Sequence, residues 1–278
     1  MTSTRPTSTG HNLSEASWLD THFQSAQSEY EDGLRFVGLR PGWKVLDAGC
    51  GGGGFLPLMS ELVGPNGAIT ALDLAPENVA RVDDLVRDGQ LPTNIKAQLG
   101  SMLSLPFPDA SFDCVWSANV VQYLTEAEFD QAVGEFKRVL KPDGTLAIKD
   151  FDAGLTDFLP MDSGIFARWL AGRRAGIEKA GILGIWCGPS LPSRLRRAGL
   201  NDIRRKGWLV ERWAPLSAAT RSFLETFLTY IAKIAETYDI PPSDLQFWRE
   251  LAAHPSRLLD HPDLCFREGF VVAVGSKT

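Results

Sequence analysis

The sequence predicts an α/β fold built on a doubly wound, mostly parallel sheet. Two observations predict it: short apolar stretches alternate with helix-period stretches between residues 43 and 149, and five of the six residues 49–54, just after the first apolar stretch, are glycine. Strands that alternate with helices at this spacing pair in parallel through right-handed crossovers. In such sheets a ligand binds at the carboxyl ends of the strands, beside the topological switch point.

The segment 43–149 supplies five strands and the helices between them. Apolar runs predict the strands, at 43–47, 68–73, 95–99, 112–117 and 145–149, and turn sequences at 64–67 and 141–144 precede the second and the fifth. Apolar residues at helical intervals predict a helix at 55–62, and a further helix is expected at 76–88. Between the last two strands, Phe129, Val133, Phe136 and Leu140 fall on one helix face.

The alternation ends after residue 150. Residues 160–200 and 216–260 are predicted to be mostly helical, and 201–213 and 269–275 to be strands. Because a minimal sheet needs only a short turn between its last two strands, we expect the insertion at 216–260 to close over the ligand as a lid, together with a helix at 14–32. Residues 1–10 are rich in Ser, Thr and Pro and predict a flexible tail.

The glycine loop predicts a nucleotide-type cofactor. Gly49, Gly51 and Gly54 satisfy the pattern GxGxxG, in which backbone approaches a ligand without interference from Cβ atoms, and by itself this pattern is equally compatible with NAD. Asp47, on the strand just before the loop, would repel a pyrophosphate and attract an amino-acid ammonium group, which favours S-adenosylmethionine. Asp73, at the end of the second strand, is placed for ribose hydroxyls, a feature that both cofactors share.

Residues 45–55 resemble motif I of the class I S-adenosylmethionine-dependent methyltransferases, particularly the small-molecule branch similar to the ubiquinone/menaquinone-biosynthesis enzymes. Stretches at 105–113, 119–124 and 140–146 resemble later motifs of that branch in the same order. The resemblance covers about residues 41–150. It implies a Rossmann-like, seven-stranded sheet with an antiparallel last strand and helical lid insertions.

The same resemblance implies how the chain is divided. An N-terminal helical cap would occupy 11–40 and the cofactor-binding core 41–150. Substrate-side helices, a lid at about 214–266 and the last two strands of the same domain would occupy 151–278. These segment bounds are expected from the sequence alone.

The resemblance also places residues around the cofactor. Where the family has Gly-Asp after the third strand, this chain has Gly100-Ser101, so adenine is expected to bind Ser101 and the Met102 backbone through hydrogen bonds worth about 0.5–1.5 kcal/mol each. The expected cofactor residues are Tyr30, Asp47, Gly49, Cys50, Gly51, Asp73, Leu74, Ser101, Met102, Ser117, Ala118 and Gln122. For the glycines and Asp73, a merely tight strand-to-helix turn is the alternative. For Tyr30, Leu74, Ser117, Ala118 and Gln122, packing is the alternative role.

Methyl transfer from a sulfonium requires alignment and, for an acceptor that loses a proton, a base. His22 is the leading candidate base because the N-terminal helix should cover the cofactor; a surface or capping histidine is the alternative. Asp150 and Asp152, just past the fifth strand, could orient the acceptor, act as a base, or be solvated loop acids.

Aromatic residues outside the core predict the acceptor. Six of the eight tryptophans lie before residue 41 or after residue 150. Phe223, Phe227 and Tyr230 recur at helical spacing on the predicted helix 216–238, which indicates an apolar or aromatic acceptor pocket; a stripe that packs into a core is the alternative.

Charge and cysteine content narrow the partners. With 28 Lys+Arg against 34 Asp+Glu, the net charge of −6 argues against a nucleic-acid partner, and we interpret the basic residues between 194 and 212 as a solvated face. Four scattered cysteines without a CxxC pair predict neither a disulfide framework nor a metal site. The sequence has no apolar run long enough to span a membrane, and its first residues lack the apolar centre of a signal peptide. A cytoplasmic location is therefore expected.

These observations predict an S-adenosylmethionine-dependent methyltransferase that acts on an oxygen, nitrogen or carbon atom of a small, mainly apolar or aromatic metabolite. Three alternatives remain open. They are an enzyme of the same fold with a non-methylating step such as a cyclisation, a cofactor-binding regulatory protein, and an RNA methyltransferase.

Overall fold

The computed structural model describes residues 16–278, with side chains from residue 19 onward. Its helices are α1 (Ala16–Ser25), α2 (Gln27–Val37), α3 (Leu56–Val63), α4 (Pro76–Arg87), α5 (Glu126–Val139), α6 (Ser163–Ala180), α7 (Leu191–Arg197), α8 (Ala218–Ala235), α9 (Pro242–Ala253) and α10 (Ser256–Leu259). Its strands are β1 (Lys44–Ala48), β2 (Ala68–Asp73), β3 (Ile95–Leu99), β4 (Phe112–Ala118), β5 (Leu140–Leu159), β6 (Asn201–Trp213) and β7 (Cys265–Ser276). The predicted tail at 1–10 and the start of the predicted cap lie outside the described residues.

All seven strands form one sheet in the order β3-β2-β1-β4-β5-β7-β6. The first five pair in parallel, and β7 runs antiparallel to both β5 and β6. The strand order reverses between β1 and β4, so the topological switch point lies between the ends of these two strands. The predicted doubly wound, seven-stranded sheet with an antiparallel last strand is confirmed.

The strand β5 differs from its prediction. A turn at 141–144 followed by a strand at 145–149 was expected, whereas β5 runs from Leu140 to Leu159. The turn survives as a local irregularity, since Asp143 has a φ of 59° and the register against β4 shifts near this end. Beyond residue 150 the strand continues because it pairs with β7, where Asp157 lies opposite Arg267. Because its partner strand β7 lies more than a hundred residues further along the chain, this pairing leaves no pattern in the sequence after residue 150.

Helices cover both faces of the sheet, as strand periodicity dictates. Val45 packs in the cluster beneath α2, α3 and α4, whereas its neighbour Leu46 packs in the cluster beneath α5 and α7. The helix α5 carries the predicted apolar face and begins with a capping box, in which Thr125 and Glu128 satisfy each other's backbone N–H groups. These two clusters hold the strand ends of the parallel half rigidly in place.

A third cluster lies in the part of the chain for which the sequence predicts a lid, and the lid itself stays a prediction. Aromatic side chains of α6, α8, α9 and the outer ends of β5 and β7 fill it, among them Phe158, Phe166, Trp169, Phe223 and Trp248. Each contributes about 1.5–3 kcal/mol by its burial, so this region has a core of its own. Within residues 16–278 no helix is long and apolar enough to cross a membrane.

Candidate active site

A cavity of about 530 Å³ lies at the carboxyl ends of β1, β2 and β4. Helices α1 and α2 cover it, and its wall includes residues of the glycine loop. The predicted cofactor residues on its wall are Tyr30, Asp47, Gly49, Cys50, Gly51, Asp73, Leu74, Ser101, Met102 and Ala118. The structure therefore brings ten of the twelve predicted residues to one cavity at the place that the fold class predicts.

The glycine loop owes its shape to left-handed backbone at Gly49, Gly51 and Gly53, whose φ angles are 86°, 52° and 85°. A Cβ atom at Gly49 would lie 2.5 Å from a methyl group of Val120, so space as well as backbone angle excludes a side chain there. The backbone of the loop consequently lines the cavity without Cβ atoms at these positions, which allows a nucleotide-type ligand to approach it closely.

Asp73 fixes the loop and still faces the cavity. Its Oδ2 accepts a hydrogen bond from the Gly51 N–H at 2.8 Å, and its Oδ1 accepts from the Ala75 N–H at 2.9 Å and from Asn78 at 3.2 Å. The side chain is 6% exposed. One carboxylate thus holds the loop after β1 against the start of α4 and presents acceptor oxygens to a ligand.

Asp47 is the most strongly perturbed carboxyl group on the wall. It is 2% exposed, and burial, followed by repulsion from Asp73, raises its pKa from 3.8 to about 8. A positively charged ligand would stabilise the ionised form of this carboxyl group, because a nearby cation offsets both the burial and the repulsion from Asp73. The electrostatics of this end of the cavity therefore favour a ligand with an ammonium group.

Two predicted cofactor residues do not reach the wall. The Ser117 hydroxyl is fully buried and donates to the Ala48 carbonyl at 2.9 Å, tying β4 to β1. The Gln122 side chain is buried and donates to the Asn119 carbonyl at 3.1 Å. At the adenine side, Ser101 lies on the wall with its Oγ 3.2 Å from the Leu103 N–H, and Met102 lies beside it.

His22 reaches the wall from α1 and is 8% exposed. Its Nε2 lies 3.0 Å from Glu268 Oε1 and 3.2 Å from the Tyr30 hydroxyl. Its ring stacks on Phe223 at 4.4 Å and on Phe151 at 5.6 Å between centroids. Burial raises the pKa of Glu268, but His22, Lys149 and Arg212 outweigh that effect and lower it overall, so Glu268 is ionised and accepts the Nε2 proton.

Neither of the two predicted catalytic aspartates lines the cavity. Asp150 is fully buried and accepts hydrogen bonds from the backbone N–H groups of Gln122 at 3.0 Å and Phe151 at 2.8 Å, and burial raises its pKa to about 6. Asp152 accepts from the Gly154 N–H at 3.2 Å. In this arrangement Asp150 fixes the turn after β4, and neither aspartate is among the residues that line the cavity.

Next to Asp150, the structure buries a lysine that sequence patterns did not single out. Lys149 is 1% exposed, and its Nζ lies 3.6 Å from the ring centroid of Tyr30 and 4.4 Å from that of Phe270. It donates to Asn119 Oδ1 at 2.6 Å. Asn119 lies on the cavity wall and has a φ of 59°, which is uncommon for a residue other than glycine.

The wall of the cavity also holds an ion pair that was not predicted. Arg81 of α4 donates to Asp20 of α1 at 2.6 Å, and both residues line the cavity. The pair passes directly over the loop, because a Cβ atom at Gly52 would lie 3.0 Å from Asp20 Oδ1. Such a long-range pair has no signature in either local sequence.

The three predicted acceptor residues are not on the wall of this cavity. Phe223 is 2% exposed and belongs to the third core cluster, and Phe227 and Tyr230 pack against that cluster. Phe223 nevertheless stacks on His22, so the core of the lid is in contact with one residue of the wall. Their part in binding an acceptor stays a prediction.

Comparisons with known proteins agree with this geometry. Residues 46–148 match a family model described as a methyltransferase domain. The 2-methyl-6-phytyl-1,4-hydroquinone methyltransferase of Synechocystis sp. is 29% identical over 62% of this chain and 58% of its own length. The 27-O-demethylrifamycin SV methyltransferase of Amycolatopsis mediterranei is 27% identical over 69% of this chain and 67% of its own length.

Among solved structures, the [4+2]-cyclase SpnF superposes with a TM-score of 0.52 at 24% identity, over 90% of this chain and 80% of its own. At that identity the likeness shows the fold alone. Several further curated relatives are matched over less than half of their own length. The match to the domain model covers residues 46–148, which supply most of the cavity wall.

Proposed function

We propose that this protein transfers a methyl group from S-adenosylmethionine to a small-molecule acceptor, as the match of residues 46–148 to a methyltransferase domain model supports. The observation that carries the proposal is the pair of carboxyl groups, Asp47 and Asp73, that faces one cavity beside a glycine loop. The two relatives quoted above are methyltransferases of small molecules by name.

The cavity fits this cofactor residue by residue. Asp47 would hold the ammonium group, Asp73 the ribose hydroxyls, and the left-handed glycines would admit the backbone of the loop to within contact distance. Ser101 and Met102 would hold the adenine. When bound, the cofactor supplies an electrophilic methyl group on a sulfonium, so the protein need only align the acceptor and remove its proton where it has one.

His22 is the proposed base. Its Nε2 lies 3.0 Å from Glu268, and this carboxylate would stabilise the imidazolium that forms when the ring takes a proton from the acceptor. The stacking of Phe151 and Phe223 on the two sides of the ring fixes its plane. Asp150 and Asp152 are retained as residues that support the site rather than as bases.

An apolar or aromatic metabolite is the proposed acceptor. The aromatic groups near His22 favour such a molecule, and the relatives quoted above act on a hydroquinone and on a rifamycin by name. We also propose that the protein has no nucleic-acid partner and acts in the cytoplasm. The pairing of Arg194 with Glu126 and of Arg212 with Glu29 supports the first of these.

The test has a binding arm and a turnover arm. Calorimetry should show binding of S-adenosylmethionine and none of NAD, and incubation with a metabolite extract should yield S-adenosylhomocysteine, detected by mass spectrometry. His22→Ala should bind the cofactor within a few fold and lose turnover, with His254→Ala as the matched control. Binding of NAD would refute the cofactor, and cofactor binding without any turnover would favour a regulatory protein.

A further inference from the structure

The strand β6 forms one edge of the sheet and is long for an edge strand. It pairs with β7 alone, and it spans 13 residues, whereas β3 at the opposite edge spans 5. An edge strand presents a row of backbone N–H and C=O groups that can pair with another strand. Within residues 16–278 no strand pairs with the outer side of β6.

The register against β7 shows which residues offer their backbone to this free edge. Trp208 lies opposite Phe270, and the same register reaches Ala214, whose N–H donates to the Leu264 carbonyl at 3.0 Å. In an antiparallel pair, residues that bond to the partner strand alternate with residues that point away from it. The even-numbered residues therefore bond to β7, and the odd-numbered residues between 205 and 213 point their N–H and C=O groups outward.

Exposed apolar side chains gather beside the same edge. Of the four large hydrophobic residues that are exposed in the described part of the chain, three lie here: Leu155, Leu209 and Trp213, at 46%, 45% and 56% exposure. Leu209 and Trp213 share one face of β6, and Leu155 lies over Gly269, the residue paired with Leu209. Exposed apolar residues are ordinary when scattered, whereas a cluster of them marks an interaction surface.

The side chains of β6 complement a second copy of the same strand. When two antiparallel copies cross at Trp208, Arg205 lies opposite Glu211 and Gly207 lies opposite Leu209. All four belong to the outward-pointing set, so these are hydrogen-bonded pairs. Opposite charges then face each other, and a glycine leaves room for the leucine. Arg205 and Glu211 are both exposed, and Glu211 lies no nearer than 3.9 Å to Arg267, its partner within the chain.

Charge also selects this register over its neighbour. Moving the crossing point by one residue, to position 209, would place Lys206 opposite Arg212, and like charges directly opposite each other are destabilising. The crossing at Trp208 places Arg204 opposite Arg212, but both are engaged on the α2 side. Arg212 pairs with Glu29, and Arg204 donates to two carbonyls at the end of α2.

Neither α2 nor a side chain blocks the edge. The helix lies over β7, since a Cβ atom at Gly33 would meet Phe270 at 3.2 Å and Val272 at 3.3 Å. Two copies of α2 would then lie three strand spacings apart, about 14 Å, which exceeds the distance at which helices pack. Arg212 donates to the outward carbonyl of Glu211 at 2.8 Å, and this oxygen keeps a second lone pair for a strand.

We propose that the protein forms a two-fold symmetric dimer in which two copies of β6 pair antiparallel about Trp208 and join two sheets into one. Main-chain hydrogen bonds, about eight between residues 205 and 211 of the two chains, hold the strands together. The two Arg205–Glu211 pairs fix the register. A two-fold pairing of this kind is closed, because each copy uses the same edge. The inference goes beyond the proposed function and does not depend on it, since β6 supplies no residue to the wall of the cavity.

The experiment measures the dissociation constant of the full chain by analytical ultracentrifugation over a range of concentrations. The wild-type protein should be a dimer at micromolar concentration. Glu211→Arg places like charges opposite each other twice in the dimer and should raise the dissociation constant about tenfold or more. Adding Arg205→Glu restores opposite charges and should bring the constant back to within a few fold of wild type. Lys96→Glu, a charge reversal on the opposite edge strand β3, should leave it unchanged.

A second pair of variants tests the backbone. Leu209→Pro removes an N–H that points away from β7, so the pairing of β6 with β7 should persist while the dimer is lost. Leu209→Ala keeps that N–H and should remain dimeric. Circular dichroism and thermal unfolding show whether each variant is folded. If Leu209→Pro does not fold, the charge reversal and its rescue decide the question by themselves.

Three outcomes would overturn the proposal. The first is a wild-type protein that stays monomeric throughout the micromolar range. The second is a dimer that Glu211→Arg leaves unchanged, or that the additional Arg205→Glu substitution fails to restore. The third is a dimer that Lys96→Glu disrupts, which would place the interface at β3 instead.

Discussion

The acidic end of the cavity and the end around His22 are built from the chain in different ways. Asp47 and Asp73 sit at the ends of adjacent strands, 26 residues apart, and the loop between them carries the glycines. His22, Asn119, Lys149 and Glu268 come from α1, the end of β4, β5 and β7, and His22 lies 246 residues from its partner Glu268. The first end is a local feature of one βαβ unit, and the second exists only in the folded chain.

Because of this difference, substitutions at the two ends of the cavity should have different effects. The acidic end depends on a loop that a single carboxylate fixes, so its variants should lose ligand affinity first. The end around His22 depends on packing between the lid and the sheet, so its variants should lose stability first. Four predictions follow this division, from the largest expected effect to none.

Phe223→Ala should lower the free energy of unfolding by about 3–5 kcal/mol, because the ring is 2% exposed and supports both the lid core and His22. Affinity of the folded protein for S-adenosylhomocysteine should stay within a few fold. Denaturant unfolding and calorimetry below the transition measure the two quantities, with Leu209→Ala, 45% exposed, as the control. A stable variant that has lost only turnover would place Phe223 in an acceptor pocket instead.

Asp73→Ala should weaken S-adenosylmethionine binding by about 1.5–3 kcal/mol, since it removes a charged acceptor for ribose and frees the N–H of Gly51. Its effect on unfolding should be smaller than that of Phe223→Ala. Calorimetry measures it, and Asp88→Ala at the exposed end of α4 serves as the control. Unchanged affinity would show that the two ends do not differ as described.

Asp47→Asn should weaken cofactor binding by about 1–2 kcal/mol and raise the stability of the ligand-free protein. The pKa of Asp47 is raised from 3.8 to about 8 in the folded protein, so its contribution to stability is fully present below pH 3.8 and is lost as the pH rises through about 8. The amide of the variant does not ionise, so the free energy of unfolding of the variant relative to the wild type should rise between pH 5 and pH 8. Parallel curves of stability against pH for variant and wild type would contradict the assignment.

The surface arginines should bind no nucleic acid. Arg194 and Arg212 are paired with glutamates, and Arg204 donates to the carbonyls of Phe36 and Val37, so three of the seven basic residues of this stretch are already engaged within the protein. A gel-shift assay at micromolar protein and low salt should show no retarded RNA, with a basic RNA-binding protein as the positive control. Retardation that salt abolishes would contradict it.

The sequence by itself determined the parallel half of the fold and its acidic end. The predicted bounds of β2 and β3 are the observed ones, and the glycine loop could be predicted because glycine readily adopts its left-handed backbone angles. The bounds of β6, outside the parallel half, were also predicted as observed. Asp47 and Asp73 could be predicted for the same reason, since the carboxyl ends of parallel strands meet at one edge.

Only the tertiary structure decided the rest. Nothing near Lys149 or Glu268 in the chain indicates that they share a buried cluster with His22, because their contacts arise from the antiparallel pairing of β5 with β7 and from the docking of α1. The same packing turned Ser117, Gln122 and Asp150 away from the cavity. Helical spacing left Phe223 two possible roles, packing or acceptor binding. Only the tertiary structure showed that the ring is buried in the third cluster and stacks on His22, since periodicity shows which face of a helix is covered and not what covers it.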